Sequence, residues 1–412
     1  MKALVLAGGM AQIELLRQLR ARGIRTVLAD GSEQALARPW ADEFFCVPLF
    51  DADAVRELAV REQVDFLITC CADQVLLVVA QVSEQLGLPC YLSYHTACLV
   101  SDKTQMKRVF RAHGIPTSDY VELSDYDAGA VSALRFPVVV KPADAYSSRG
   151  VRRAQDTEAL RTCFEEAKQI SRSGAVIVED FCPGEEISVD VWVQGGKARI
   201  LCISNSEKIR DDDRFVIFRG RYPANVSERI TAQIADAAQR IADAFGLTNA
   251  PMLIQLISDG ERISVLEFCA RTGGNMKYLL IRHVCGADVI SGVIDLTLGI
   301  KPELALRPPE NRYIVNDFIY YRPGVFDHLE GFDALMAEGI ITDYRQLRPR
   351  GFRVRGSRSS SDRIAGVTIQ ADSPEEFNRK HRRFVGRARV IDDAGEDIMR
   401  HELLPPLEWQ CV

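Results

Sequence analysis

Several features are scarce in this chain of 412 residues, and each scarcity closes off a class of protein. The formal charge is −6, from 51 basic and 57 acidic side chains, so no global basic field exists to hold nucleic acid, and no nucleic-acid partner is expected. No apolar run reaches the length a membrane helix needs, and residues 1–20 read as a strand and helix rather than a signal peptide. No membrane partner is therefore expected, and the expected location is cytoplasmic. The eleven cysteines include no C-x-x-C pair and would make an odd disulfide framework in so large a chain, so they read as reduced, mostly buried thiols. The six histidines form no local pattern with a cysteine, which argues against a thiol nucleophile. The turn AGGMAQ at residues 7–12 lacks the G-x-G-x-x-G fingerprint, so a dinucleotide cofactor is not supported even though Asp30 ends the second strand. Nothing reads as a linker or a repeat.

What is present is ample apolar material: 47% of residues are hydrophobic, enough for two or three compact units. Near the start, residues 3–6 read as an apolar strand, Gly8 and Gly9 as a tight turn, 13–19 as helix and 26–29 as a second strand. Further strands at 66–69 and 89–92 continue the alternation, which predicts a doubly wound parallel sheet.

Three short segments carry the chemistry. In residues 138–150 (VVVKPADAYSSRG) a branched apolar run reads as a buried strand that Pro142 stops, placing Lys141 at its end. The small, polar or basic Ser147, Ser148, Arg149 and Gly150 suit a loop that brings N–H and hydroxyl donors to phosphate oxygens. In residues 176–186 (VIVEDFCPGEE) a strand breaks at Cys182, Pro183 and Gly184 before an alternating strand. There Ile187, Val189, Val191 and Val193 share one face, and Glu186, Ser188 and Asp190 the other. The break reads as a hinge between two lobes, with a carboxylate at its mouth able to accept two ribose hydroxyls. In residues 253–271 (LIQLISDGERISVLEFCAR) two apolar strands flank the turn Ser258, Asp259, Gly260. Gln255 and Glu267, twelve positions apart across it, fall opposite one another to within about one residue of register. Cys269 and Arg271 share strand parity with Glu267, which brings a guanidinium near any phosphate held by a metal there.

With these elements in this order, and with Ser101, Asp102, Lys103 ahead of a helix and His113, Gly114, Ile115, Pro116, almost the whole chain resembles the ATP-grasp superfamily of carboxylate–amine and carboxylate–thiol ligases. The resemblance implies a mixed α/β and α+β architecture in three parts. Residues 1–100 would be a doubly wound pre-ATP-grasp domain. Residues 101–310 would be a two-lobed core, with a small lobe at about 112–183 and a large one at about 184–310. Residues 311–412 would be a small α+β lid domain like that of biotin-carboxylase-like members. By the same resemblance Lys103 and Lys141 bind phosphates, and Ser147, Ser148, Arg149 and Gly150 form the phosphate flap. Glu179, Asp180 and Cys182, with Phe181 among them, hold adenine, and Glu186 holds the ribose. Gln255 and Glu267 are the implied metal ligands, for Mg²⁺ with Mn²⁺ as its substitute. Gln at the first metal position has precedent in carbamoyl-phosphate synthetase, which the chain resembles here more than it does the D-alanine ligases. Cys269 stands where the family usually has Asn, and a soft thiol suits a hard cation poorly.

The implied catalytic residues are Lys141, Glu267 and Arg271, and the implied substrate contacts are Arg219, Arg271, Gly273, Gly274, Asn275 and Arg355; loops at Gly8, Gly9 and Asp73 border the substrate in such proteins. Residues 204–223 interleave Lys208, Arg210, Arg214, Arg219 and Arg221 with three aspartates, a place where a carboxylate could dock. Arg353, Arg355 and Arg358 lie in a basic, hydroxyl-rich run after which 364–370 reads as a strand, and Ser373 and Pro374 open a helix. The expected reaction joins a small carboxylate to an amine through an acyl phosphate, in a protein for which homodimers have family precedent. Two alternatives share the same ATP site: carboxylation with bicarbonate as the phosphorylated acid, and a nucleotide sensor without catalysis.

Overall fold

The computed structural model describes residues 1–145, 149–209, 215–274, 276–308, 312–354 and 362–407. The first unit is a four-stranded parallel sheet in the order Glu43–Cys46, Arg25–Asp30, Lys2–Leu6, Phe66–Ile68. Its strands are apolar on both faces because both are covered. Leu4, Leu6, Val27, Ala29 and Leu67 pack in one cluster with Val55 and Val79, whereas Ala3, Val5, Leu28 and Ile68 pack in another with Leu15 and Leu19. The helices Ala52–Arg61 and Asp73–Leu86 therefore cover one face and Met10–Ala21 the other. This is the doubly wound layering that the alternation of strand and helix predicts. The expected strand at 89–92 does not form. Pro89 brings no N–H to a ladder, only Leu92 of that run is buried, and Ser93 caps the next helix, Tyr94–Ser101, by accepting from the Thr96 N–H. The fourth strand is instead Glu43–Cys46, a half-exposed edge without clear alternation.

A second sheet, antiparallel throughout, runs Tyr120–Leu123, Val176–Asp180, Val138–Pro142, Arg152–Ala154. The helix Thr157–Ile170, capped by Asp156, closes a small separate core with Leu160 and Phe164 against Val138, Val140, Val176 and Val178. Pro142 stays within the ladder, opposite Val176, so the strand runs one residue past Lys141.

The largest sheet has eight antiparallel strands: Ile263–Cys269, Asn249–Ser258, Glu185–Gln194, Lys197–Lys208, Ile217–Tyr222, Tyr313–Ile319, Ala365–Ala371 and Asp343–Gln346. Ile187, Val189, Val191 and Val193 face the helix Glu228–Ala244 as their parity requires, and Trp192 packs on the other side among Leu280, Ile281 and Val293. Strands on either side of residue 310 pair directly, with Arg219 opposite Asp317, so the C-terminal segment extends the same sheet. The helix Pro374–Arg387 packs against this extension. Ser373 caps it by accepting from the Glu376 N–H, while Glu376 accepts from the Asp372 N–H.

Candidate active site between the lobes

The hinge and the hairpin meet through glycine. Gly184 has φ +132°, and a Cβ there would lie 2.2 Å from the Ser258 carbonyl oxygen, so only glycine lets the inter-lobe crossing rest on the hairpin turn. Between the lobes lies a cavity of about 960 Å³. Lys103, Lys141, Arg149, Glu179, Asp180, Phe181, Cys182, Glu186, Gln255 and Glu267 all line it, which brings together most of the nucleotide and metal residues expected from the sequence.

Its floor is a buried charge network. Glu179, only 3% exposed, takes Lys141 Nζ on one carboxylate oxygen at 2.6 Å and Lys107 Nζ on the other at 2.6 Å, and Ser118 donates to it at 2.9 Å. Burial alone would raise this carboxyl, but the two ammonium groups outweigh it and hold Glu179 down to about 2. The Glu179 side chain is thus committed to the lysines, and its backbone is paired in the sheet between Tyr120 and Val139. Asp180 accepts from the Arg135 N–H, the Phe181 ring lies 5.5 Å from the Arg153 guanidinium, and Cys182 Sγ lies 3.5 Å from Ser264 Oγ.

Asp102 caps the helix Lys103–Ala112, accepting from the N–H groups of Thr104 and Gln105 at 2.8 and 3.1 Å, and so fixes Lys103 in the first turn. A cation there opposes the helix dipole, an arrangement that a bound anion would relieve. Lys103 Nζ meets Glu267 at 3.2 Å and donates to the Ala145 carbonyl at 2.6 Å. Gln255 and Glu267 are direct register partners in the hairpin, as the twelve-residue spacing predicts. Gln255 also donates to Glu186 at 3.1 Å, and Glu186 ion-pairs with Lys208. A facing amide oxygen and carboxylate are the hard donors a protein offers to Mg²⁺ when phosphates complete the shell, so the residues fit that ion. Burial pushes the Cys269 thiol well above its ordinary range, which keeps it protonated and unlike a metal ligand.

A second cavity of about 340 Å³ shares Lys103, Ala145, Ser206, Gln255 and Glu267 with the first. Arg271 lines it, with Nε 2.5 Å from Asp73 in the first turn of its helix and Nη1 donating to the Thr272 carbonyl. Burial would lower the Arg271 guanidinium, but Asp73 beside it raises it above the ordinary range. Its polar lining also includes Asp73, Gln74, Ser101, Ser188, Lys277, Asn316, Arg348 and Arg363, with Gly274 beside them.

Three expected contacts stand elsewhere. Arg219 is fully buried, its Nε 2.5 Å from Asp317, with further hydrogen bonds to the Pro405 carbonyl and to His381; it lines neither cavity, and its charge serves the sheet, not a substrate. Gly273 is also absent from both linings: a Cβ there would fall 2.7 Å from Lys277 Cγ and 2.9 Å from Asp190 Oδ1, so the position serves close packing. Gly150 packs beside Pro142 and Ile170. Ser147, Ser148, Asn275 and Arg355, together with Arg210, Arg214 and Arg358, lie outside the described residues. Sequence reasoning missed Lys107, although its i+4 spacing from Lys103 puts both on one helix face. It also missed Arg348 and Arg363, for which no local pattern exists.

Comparison with known proteins agrees with this geometry. The ATP-grasp domain family matches residues 134–278. A carbamoyl-phosphate synthase from Methanobrevibacter smithii is 26% identical over 372 residues, covering 88% of this chain and 94% of that protein. Among solved structures, an L-amino acid ligase from Bacillus licheniformis superposes with a TM-score of 0.79 at 19% identity, over 95% of this chain and 98% of the other. The biotin carboxylase domain of the Hydrogenobacter thermophilus 2-oxoglutarate carboxylase, solved with MgADP and bicarbonate, superposes with a TM-score of 0.78 at 16% identity, over 98% and 92%. Residues 134–278 thus match the ATP-grasp domain, and the solved structures share the fold of nearly the whole chain. Among the described residues, no helix is long and apolar enough to cross a membrane.

Proposed function

We propose that this chain is an ATP-dependent carboxylate–amine ligase that forms an amide through an acyl phosphate and releases ADP and phosphate. The observation that carries the reading is the wall common to the two cavities. Lys103, Gln255 and Glu267 face a large nucleotide-sized space on one side and a small, cation-lined space on the other. A phosphoryl donor and a small anionic acceptor meet only at such a wall.

In this reading adenine lies beside the segment from Glu179 to Cys182, and Glu186 accepts the ribose hydroxyls once Lys208 and Gln255 release it. Lys103 and Lys141 turn from Glu267 and Glu179 to the phosphates. Mg²⁺ would be held by Gln255 and Glu267 and would supply charge neutralisation on the phosphate oxygens. A carboxylate oxygen of the acid forms a bond to the γ-phosphorus, and the bond from that phosphorus to the bridging oxygen breaks with its electron pair leaving on ADP. The amine nitrogen then adds to the acyl carbon, phosphate departs with the electron pair of the C–O bond, and the surplus proton of the amine passes to solvent. Arg271, held by Asp73, faces the side where negative charge develops. The three-part division at residues 100 and 310 belongs to this reading, with the C-terminal part supplying one wall of the acid's cavity. The test is phosphate release from Mg·ATP across a panel of carboxylates and amines, singly and in pairs, with and without bicarbonate. Release that needs an acid and an amine supports the ligase; release driven by bicarbonate alone replaces it with the carboxylase, and no release at all leaves the sensor.

A further inference from the structure

One row of the large sheet runs beneath the second cavity. Glu267, Gln255, Ser188 and Ser204 are register partners across four neighbouring strands, so their side chains share a face. Glu267, Gln255 and Ser188 line that cavity, and Ser206, two positions from Ser204 on the same face, lines both cavities. At strand spacings of about 4.8 Å, Ser204 lies about 10 Å from Gln255 along the row. Lys277, the first residue of the helix Lys277–Cys285, lines the cavity and comes down on this end of the row. Its Nζ donates to Ser204 Oγ at 2.6 Å and lies 3.2 Å from Asp190 Oδ2. Gly273 makes room for this packing, since a Cβ there would fall 2.7 Å from Lys277 Cγ and 2.9 Å from Asp190 Oδ1.

The counter-charges are placed unequally. Lys103 and Arg271 are paired with Glu267 and Asp73, which stand on the cavity lining beside them. Asp190, the partner of Lys277, stands behind the lining: its side chain is 3% exposed and lines neither cavity. Lys277 therefore turns positive charge toward the cavity with its own carboxylate at its back. An ammonium carries three N–H groups, and Ser204 and Asp190 take two of them.

Resting on the ligase reading above, we propose that Lys277 is a catalytic residue that holds the acceptor carboxylate, and that Asp190 and Ser204 position it. The third N–H of Lys277 donates to one oxygen of the acid, which lies over Ser188, while the other oxygen meets the γ-phosphorus beside Gln255 and Glu267. The oxygen at Lys277 then becomes the carbonyl oxygen of the acyl phosphate. When the amine nitrogen bonds to the acyl carbon, the π pair of that carbonyl moves onto the oxygen, and it returns as phosphate departs with the C–O pair. The ammonium stands where this negative charge appears, fixed in advance by Asp190 and Ser204.

The experiment measures initial rates of phosphate release from Mg·ATP by the full chain. Acetate, glycine, L-alanine, succinate and L-glutamate are the acids, each offered with the same set of amines, and the acid used best by the wild type is carried into the variants. Lys277→Met is expected to lower kcat/KM for the acid by about a hundredfold or more, with KM for Mg·ATP unchanged to within about twofold. Asp190→Asn, which keeps the ammonium but loosens its anchor, should lower kcat/KM for the acid by about tenfold, again without effect on KM for Mg·ATP. Lys277→Met strands a buried carboxylate, so the double variant Lys277→Met with Asp190→Asn is measured beside it, with circular dichroism as the check on folding; it strands no charge and decides the matter if the single variant does not fold. A folded variant lacking Lys277 that stays within about threefold of wild type in kcat/KM for the acid, or one whose KM for Mg·ATP rises in step, overturns the proposal and leaves the ligase standing. Wild-type phosphate release that is absent or indifferent to every acid sinks the ligase reading and this inference with it.

Discussion

Lys107 is the most informative single position to perturb, because it shares Glu179 with Lys141 while lining neither cavity. At 2.6 Å and an effective dielectric near 20, its gross attraction to Glu179 is about 6 kcal/mol, and removing one partner of such a buried pair costs about 3–5 kcal/mol net. Lys107→Met keeps much of the side-chain volume and deletes the charge, so unfolding by urea at pH 7 should be easier by that amount. The acid dependence follows from Glu179. Its folded value, about 2, lies below the ordinary 4.5, so the stability it contributes is fully present above pH 4.5 and is lost as pH falls toward 2. That difference of about 2.5 units corresponds to roughly 3 kcal/mol, so the gap between wild type and Lys107→Met should shrink as pH falls through that window. Function changes too. With Lys107 gone, Lys141 becomes the only ion-pair partner of Glu179 among the described residues, and ATP must draw it away at greater cost, so ATP affinity should fall by about tenfold. A variant within about 0.5 kcal/mol of wild type at pH 7, or one with unchanged ATP affinity, would refute the shared-carboxylate argument.

If Glu267 holds Mg²⁺ as proposed, Glu267→Gln removes that charge at nearly constant volume, so it should lower turnover by about a hundredfold or more with circular dichroism unchanged, and a wild-type rate would refute the metal assignment. Cys269→Asn should preserve or raise turnover, since the thiol is protonated where an amide oxygen could assist a cation; loss of activity in a folded variant would contradict that. Arg219→Met strips the fully buried Asp317 of its chief counter-ion, and urea unfolding should report a loss of about 3–5 kcal/mol, with substrate KM unchanged in whatever protein stays folded. A raised KM without loss of stability would return Arg219 to the substrate.

What the sequence made legible was local. The hairpin put Gln255 opposite Glu267 because two strands joined by a short turn leave little freedom of register, and alternation over residues 187–193 named the core face of the hinge strand correctly. The helix that Ser373 and Pro374 open was legible for the same reason, from side-chain chemistry one turn away. Long-range pairing was not legible. Arg219 looked like a substrate cation because its partner, Asp317, lies 98 residues away and becomes its neighbour only when strands from both sides of residue 310 join one sheet. Arg348 and Arg363 reach the second cavity by the same joining. The run at 89–92 shows the reverse case, in which apolar residues suited to a strand serve as a connection because Pro89 and the Ser93 cap favour the following helix.

The acyl phosphate is the centre of the account, and oxygen transfer tests it most directly. An acid labelled with ¹⁸O in its carboxylate, incubated with Mg·ATP, an amine and the protein, should yield inorganic phosphate carrying one ¹⁸O atom per turnover, because the carboxylate oxygen that attacks the γ-phosphorus leaves with it. Phosphate released at the same rate without the label would contradict activation of the acid by ATP.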